Sequence, residues 1–186
     1  PVRRKSTIQA ALAGKISYAQ WFATDLDMLR SAGATRSSIE QVIDTIKPTP
    51  GAISLIADLR SAGARVALVS GGLDMIRRRA LPTVEFDAIH INEIHYSANG
   101  EITSGTPTAY DRDHKVSGIR ALTERFGISM EQTAFIGDGS NDVYAAQAVG
   151  CAVAWGAQAH DGLITVSDHH VTGPHMDALR PLLLLE

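Results

Sequence analysis

The sequence predicts an α/β fold in which a doubly wound parallel sheet carries a small helical cap. Three observations predict it. The first 46 residues show only helical spacing of apolar side chains, a segment rich in proline and glycine follows, and short apolar runs then alternate with helical patterns. Such alternation is typical of parallel sheets with helices on both faces. With 186 residues, the chain can bury one domain with a small appendage.

The helical cap is predicted at residues 1–46. The apolar residues of its main helix recur at helical spacing: Ile16, Trp21, Phe22, Leu26 and Leu29. Gly33 is a suitable stop, and Ser37 or Ser38 is expected to cap a second, shorter helix. The segment Lys47-Pro48-Thr49-Pro50-Gly51 then marks a boundary. The sequence therefore predicts two parts, the cap at 1–46 and an α/β core at 47–186.

The core is predicted to be Rossmann-like. A helix over 51–62 leads into the apolar run Val66–Val69, which is too short for a helix and indicates a buried parallel strand ending at Ser70. Asn99-Gly100 indicates the turn of a β-hairpin over 94–103. Further strands are expected at 87–91, 133–136, 151–154 and 169–172, and helices at 73–80, 115–126, 141–149 and 175–184.

The composition argues against several classes of protein. A net charge of −3 and the lack of a long basic stripe argue against nucleic-acid binding. No apolar run approaches the roughly 20 residues that span a bilayer, and the single cysteine, Cys151, fits a cytoplasmic protein without an internal disulfide. Cys151 and the seven histidines are interpreted as structural residues. The sequence leaves open whether the protein forms a homo-oligomer.

Three polar segments stand at or near predicted strand ends, where open α/β sheets bind ligands. In Ser70-Gly71-Gly72, a hydroxyl and exposed backbone amides at a helix start suit a phosphate, although a tight turn also explains the pattern. The second segment runs from Gly137 to Asp142, and its two carboxylates and one amide suit Mg²⁺. The third contains Lys115, whose amine is useful only if an anion lies nearby.

Together and in this order, these segments resemble three motifs of the haloacid dehalogenase (HAD) superfamily, and its phosphoserine-phosphatase-like branch is the most similar. Pro50-Gly51-Ala52 is similar to that branch's entry to the core, and Gly14-Lys15-Ile16-Ser17-Tyr18 to its cap. The resemblance implies a HAD-like core and a magnesium-dependent phosphatase. In that family an aspartate attacks phosphorus, and water cleaves the resulting aspartyl-phosphate.

The resemblance also implies a role for each matching residue. Ser70, Gly71 and Gly72 would hold the phosphate of a small phosphorylated metabolite, together with Asn141. Lys115 would neutralise the charge of the phosphate and the nucleophile, and Asp138 would bind the metal. Asp142 would complete the site by orienting Lys115 or a metal-bound water.

The family's Asp-x-Asp motif, which supplies the nucleophile, is not found in the sequence. Asp25-Leu26-Asp27 lies inside a helical pattern, and Asp111-Arg112-Asp113 belongs to the lysine segment. The nucleophile is therefore expected upstream of Pro1, in a sequence that is truncated, although Pro1 is also compatible with a removed initiator methionine. Because the missing strand is central in the family's sheet, the strands ending at Ser70 and Asp138 are expected to stand about 9–10 Å apart.

The substrate is less well defined than the reaction. By the resemblance, Asp25 occupies the cap position at which phosphoserine phosphatases hold the substrate carboxylate with an arginine, so phosphoserine is expected to be disfavoured. Two alternatives stay open. One is a non-catalytic HAD relative that binds a phosphorylated ligand or a partner, and the other is a nucleotide binder of the ATP-pyrophosphatase type, suggested by Ser70-Gly71-Gly72-Leu73-Asp74.

Overall fold

A computed structural model describes residues 2–111 and 114–184. Pro1 and the Arg112-Asp113 pair of the second Asp-x-Asp pattern lie outside the described residues. The helices are α1 (Val2–Leu12), α2 (Tyr18–Ser31), α3 (Arg36–Ile43), α4 (Ala52–Ser61), α5 (Asp74–Ala80), α6 (Lys115–Phe126), α7 (Val143–Ala146), α8 (Asp161–Val166) and α9 (Arg180–Leu183). The strands are β1 (Ala67–Leu73), β2 (Ala88–Tyr96), β3 (Ile102–Thr106), β4 (Ala134–Gly137), β5 (Cys151–Trp155) and β6 (His169–Val171).

The chain divides into two compact units. The first contains the residues up to Lys47 together with Gly72–Pro82 and Ile91–Thr108. The second contains Pro48–Gly71, Thr83–His90 and the described residues from Ala109 onward. The predicted cap, residues 1–46, falls entirely within the first unit, which also takes in two segments of the predicted core.

Two helices of the first unit, α2 and α3, begin at side-chain N-caps. The Ser17 hydroxyl accepts a hydrogen bond from the Gln20 amide at 3.2 Å, and the Gln20 side chain accepts one from the Ser17 amide at 2.8 Å. This reciprocal pair satisfies two amides that the first turn of α2 leaves without helical partners. The prediction that Ser37 or Ser38 is the N-cap residue of α3 is wrong. Thr35 caps the helix, and Ser38 completes the capping box from inside its first turn.

The predicted hairpin forms the strand region of the first unit. β2 and β3 pair antiparallel, and Gly100 adopts a left-handed φ of 80° in the connecting turn. The Arg30 guanidinium of α2 donates to the carbonyls of Ile102 and Thr103 at 2.9 and 2.6 Å. These bonds join the helix to the hairpin and satisfy two carbonyls of β3.

A parallel sheet forms the centre of the second unit. Its order is β4-β5-β6, with Ile136 opposite Val153 and Val153 opposite His169. Val153 is fully buried and packs with Leu55 and Leu179 on one face. On the other face, Ala152 and Ala154 pack with a second cluster that includes Leu163. β5 is therefore buried on both faces, as the apolar run around Cys151 predicted.

A partly buried carboxylate holds the segment that connects α4 with β1. Asp87 accepts hydrogen bonds from the Val66 amide at 2.9 Å and from the guanidinium groups of Arg60 and Arg65 at 2.7 and 3.0 Å. The Val66 amide and the two guanidinium groups hold the pKa of Asp87 below its usual value, against the opposing effect of burial. The negative charge of Asp87 therefore stabilises this corner of the unit.

The sheet differs from the single doubly wound sheet that the pattern suggests. Within residues 2–111 and 114–184 there are two three-stranded sheets, ordered β1-β2-β3 and β4-β5-β6. β1 and β4 each stand at the end of their sheet and do not pair with each other. The strand expected between those that end near Ser70 and Asp138 stays a prediction.

Two predicted helices have different forms in the structure. The stretch predicted at 141–149 begins as a 3₁₀ turn, Ser140–Asp142, and continues only as the short α7. The stretch predicted at 175–184 is a 3₁₀ turn, Met176–Leu179, followed by α9. Within the described part of the chain, no helix has the length and apolar character needed to cross a bilayer.

Candidate active site

The loop after β4 is organised by the carboxylate of Asp142. One oxygen, Oδ2, accepts hydrogen bonds from the amides of Asp138 and Gly139 at 3.0 and 2.9 Å. Because a carboxylate accepts amide bonds more strongly than a neutral group does, these contacts fix the turn that follows the strand. The Asp138 side chain itself is exposed. Asp142 thus holds the backbone of the loop and leaves the Asp138 carboxylate directed away from the core.

The other oxygen of Asp142 forms a buried ion pair with Lys115. The Lys115 Nζ atom lies 2.5 Å from Asp142 Oδ1, and the two side chains are only 7% and 5% exposed. α6 begins at Lys115 and β4 leads directly into the Asp142 loop, so the ends of two secondary-structure elements place the pair. A buried ammonium and carboxylate retain their charges only when they are paired. The predicted link between Asp142 and Lys115 is therefore present in the structure.

Gly137 is required by the position of the Asp142 carboxylate. A Cβ atom added at Gly137 would lie 2.6 Å from Asp142 Oδ2 and 2.7 Å from its Cγ atom. Any other residue at the end of β4 would therefore push Asp142 away from the loop amides. The glycine allows the close approach on which the ion pair with Lys115 depends.

A second carboxylate, that of Asp111, joins the β1 segment to the acidic loop. A Cβ atom added at Gly71 would lie 2.8 Å from the Asp111 Cγ atom, so the carboxylate packs directly on the glycine backbone. Asp111 Oδ1 also accepts a hydrogen bond from the Asn141 side-chain amide at 2.9 Å. Asp111 therefore contacts two of the groups that the sequence assigned to phosphate and substrate binding.

The phosphate-binding segment itself differs from its prediction. β1 does not end at Ser70 but continues through Gly71 and Gly72 to Leu73, and neither glycine has a positive φ. The tight turn that was the alternative interpretation of this segment is therefore not formed, and the extended strand leads directly to α5, which begins at Asp74. Ser70 is half-buried within this extended segment, next to the contact between Gly71 and Asp111.

The described residues do not form a complete metal site. Among residues 2–111 and 114–184, no three histidine, cysteine, aspartate or glutamate side chains are grouped closely enough to hold a metal ion. Asp138 offers an exposed carboxylate of the kind that Mg²⁺ prefers. Asp142 is already engaged by Lys115 and two amides. These residues supply one suitable ligand for Mg²⁺ and do not by themselves complete the coordination of the ion.

Asp111 is the residue of this site that the sequence interpretation missed. Its Asp-x-Asp pattern was visible, and its position four residues before Lys115 was the signal that could have found it. The other Asp-x-Asp pattern, Asp25-Leu26-Asp27, lies within α2 in the first unit, as the helical spacing predicted.

Cys151 and His90 have the properties of structural residues. Burial, with a smaller contribution from the charge of Asp168, raises the pKa of the Cys151 thiol. A raised pKa lowers the fraction of thiolate and therefore the reactivity of the thiol. The His90 ring packs edge-on against the Tyr110 ring, with 4.6 Å between the ring centroids, and burial lowers the pKa of the imidazole.

Comparison with known protein families identifies the class to which this site belongs. Residues 1–150 match the model of haloacid dehalogenase-like hydrolases, which covers most of the chain. The chain belongs to this family. The match includes β1, Lys115 and the Asp142 loop, the segments that carried the predicted resemblance.

Individual relatives are similar to the chain over most of its length. Phosphoserine phosphatase SerB2 of Mycobacterium tuberculosis is 30% identical over 181 residues, which cover 94% of this chain but 42% of that protein. Phosphoserine phosphatase of Idiomarina loihiensis is 28% identical, with 90% of this chain and 74% of that protein covered. This chain therefore spans less than half of the first relative. The predicted resemblance to the phosphoserine-phosphatase-like branch is confirmed.

The fold is shared with solved structures of the same branch. A structure described as a phospho-aspartyl intermediate analogue of phosphoserine phosphatase superposes with a TM-score of 0.76 at 23% identity, over 97% of this chain and 85% of that one. This similarity confirms the α/β fold class. The family match favours the HAD interpretation over a nucleotide binder of the ATP-pyrophosphatase type. The names of the relatives give no support to the expectation that phosphoserine is disfavoured.

Proposed function

We propose that this protein is a magnesium-dependent phosphatase that hydrolyses a small phosphomonoester through an aspartyl-phosphate intermediate. The observation that carries the proposal is the buried ion pair between Lys115 and Asp142, which is fixed to the loop amides of Asp138 and Gly139. Membership of the haloacid dehalogenase-like hydrolases supports the reaction class. Phosphoserine is the first substrate to test, because the similar proteins carry that name.

Lys115 has the central role among the residues of this chain. Its ammonium group is held rigidly by Asp142, so it requires little reorganisation to stabilise negative charge on a phosphoryl group and on its nucleophile. Asp142 acts through Lys115 and the loop, and is a positioning residue. The backbone of Gly71 and the hydroxyl of Ser70 are proposed to hold phosphate oxygens, with Gly72 and Asn141 completing the ligand-binding set.

The nucleophile and most metal ligands are proposed to lie outside the described residues. An aspartate upstream of Pro1 is proposed to attack phosphorus, and Asp138 is proposed to contribute one oxygen ligand to Mg²⁺. Bound magnesium would supply charge neutralisation at the phosphoryl oxygens. A cytoplasmic location is likewise a proposal, which the single cysteine supports.

The test is phosphate release by the full-length protein from phosphoserine, phosphoethanolamine and glycerol phosphate, with Mg²⁺ and after its removal by a chelator. We expect Lys115→Met to lower kcat/KM by at least about 100-fold, the scale of losing a preorganised charge at a transition state. The double variant Lys115→Met/Asp142→Asn restores the stability of the site but not its activity. Glu85→Gln, at a carboxylate that is 85% exposed, serves as the control.

The alternative of a non-catalytic binding protein predicts a different result. Binding of a phosphomonoester without release of phosphate, under conditions in which the protein is folded and contains Mg²⁺, would contradict the phosphatase proposal and favour that alternative. Equal turnover by the wild type and by Lys115→Met would contradict the role assigned to Lys115.

A further inference from the structure

The carboxylate of Asp111 lies beside two residues, Gly71 and Asn141, that are proposed to bind the ligand's anionic group. It packs on the backbone of Gly71, with its Oδ1 atom 3.1 Å from the place of a Gly71 Cβ atom. The same oxygen accepts a hydrogen bond from the Asn141 amide at 2.9 Å. Both contacts fall within the second unit, and both partners belong to the proposed phosphate-binding set.

Such an arrangement places a fixed negative charge in an anion site. A phosphate group held by the same backbone and the same amide would approach the Asp111 carboxylate closely, and like charges at such distances repel each other strongly where water is limited. The carboxylate also takes up a hydrogen bond of the Asn141 side-chain amide, which is one of the groups proposed to bind the phosphate. The two anions therefore cannot occupy this position together.

We propose that Asp111 is an internal competitor for the phosphate-binding position, and that it sets the affinity of the site for phosphorylated ligands. The inference rests on the proposed function, since it takes the segment around Gly71 as the phosphate site. When the ligand binds, the Asp111 side chain leaves Gly71 and Asn141 and turns away. Only molecules in which the side chain has vacated the site can bind the ligand. The measured affinity is therefore the intrinsic affinity multiplied by the fraction of such molecules.

An opposite role for Asp111 predicts an effect of opposite sign. If its carboxylate oriented Asn141 for the ligand, or paired with a cationic group of the ligand, removal of the side chain would weaken binding. If it competes with the phosphate, removal strengthens binding. The direction of the change therefore distinguishes competition from positioning.

The experiment measures the dissociation constant of inorganic phosphate by calorimetry on the full-length protein at fixed pH and ionic strength. We expect Asp111→Ala to bind phosphate about tenfold more tightly than the wild type, as when a competitor that fills nine sites in ten is removed. Asp111→Asn keeps the size of the side chain without its charge and should show a smaller gain. Glu124→Gln removes an exposed carboxylate from α6 and controls for the change in net charge.

Three outcomes decide the inference. Tighter binding in the Asp111 variants with an unchanged Glu124→Gln protein supports it. Unchanged or weaker binding in those variants, while the wild type binds phosphate, overturns the competitor role and leaves the proposed function standing. Absence of phosphate binding in the wild type and in every variant overturns both. If Asp111→Ala fails to fold, Asp111→Asn decides between these outcomes by the same signs.

Discussion

Breaking the ion pair between Lys115 and Asp142 should cost much of the chain's stability. The two residues are 6% and 3% exposed, and Lys115→Met leaves the Asp142 carboxylate buried without its counter-charge. Removal of one partner from a buried pair costs roughly 3–5 kcal/mol. If the free energy of unfolding falls by about 2 kcal/mol per molar urea, a loss of about 4 kcal/mol in that free energy lowers the midpoint of unfolding by about 2 M urea.

A double-mutant cycle separates the pair from its surroundings. Asp142→Asn keeps an oxygen that can accept from the amides of Asp138 and Gly139, so Lys115→Met/Asp142→Asn should recover most of the stability that either single change removes. The exposed Glu85, whose carboxylate lies 3.6 Å from Arg60, is the control. Glu85→Gln should change the free energy of unfolding by less than about 0.5 kcal/mol.

Urea unfolding followed by circular dichroism measures the four proteins of the cycle and the Glu85→Gln control. The slopes of the transitions are compared to confirm that the unfolded states are alike. The reasoning would be refuted if Lys115→Met cost no more than the Glu85 control. It would also be refuted if the effects of the two single variants simply added in the double variant, since a direct buried pair must show coupling.

Other contacts of the two units support three further predictions. Gly137→Ala should lower the free energy of unfolding by roughly 2–3 kcal/mol, because its Cβ atom would meet the Asp142 carboxylate. Gly173→Ala adds a Cβ atom in open space and should be nearly neutral. Urea unfolding compares the two variants, and equal effects would contradict the close approach of Asp142 to Gly137. Asp87 has a lowered pKa, so its charge stabilises the fold above about pH 4 and that contribution is lost as the pH falls through the folded-state value. The stability gap between the wild type and Asp87→Asn should therefore narrow on acidification, and a gap independent of pH would exclude this explanation. The Cys151 thiol, with its raised pKa, should react with a chromogenic disulfide at pH 8 far more slowly in the native than in the unfolded protein, and equal rates would contradict its burial.

The elements that sequence periodicity placed well are those whose signal is local. The helix α6 was expected at 115–126 and extends from Lys115 to Phe126. The hairpin was correctly placed by Asn99-Gly100, since a turn requires a residue that accepts a positive φ. The structural unit changes after Lys47, whereas the division into a cap at 1–46 and a core at 47–186 stays a prediction.

The elements that were misplaced depend on contacts remote in sequence. The strand was expected to end at Ser70, but it continues through Gly71 and Gly72, and Gly71 is required by the approach of Asp111. The cap of α3 was assigned to the wrong residue because Thr35, Ser37 and Ser38 are all good capping residues and only the backbone conformation selects among them. Composition and spacing do not carry this information.

The candidate site was predictable in its parts more than in its arrangement. Asp142 was expected to orient Lys115 or a metal-bound water, and the structure pairs it with Lys115. The position of Asp111 four residues before Lys115 pointed to the site, but its contacts could not be read from the sequence, because a carboxylate near a phosphate-binding segment contradicts simple charge complementarity. Its place became visible only from its contacts with Gly71 and Asn141.

The most direct test of the account is the intact mass of the full-length protein after rapid acid quenching during turnover of phosphoserine. We predict a fraction of molecules that carry one added phosphoryl group on an aspartate, which hydroxylamine removes and which is absent in Lys115→Met. Turnover without any such adduct, or an adduct that resists hydroxylamine, would contradict the aspartyl-phosphate mechanism proposed for this site.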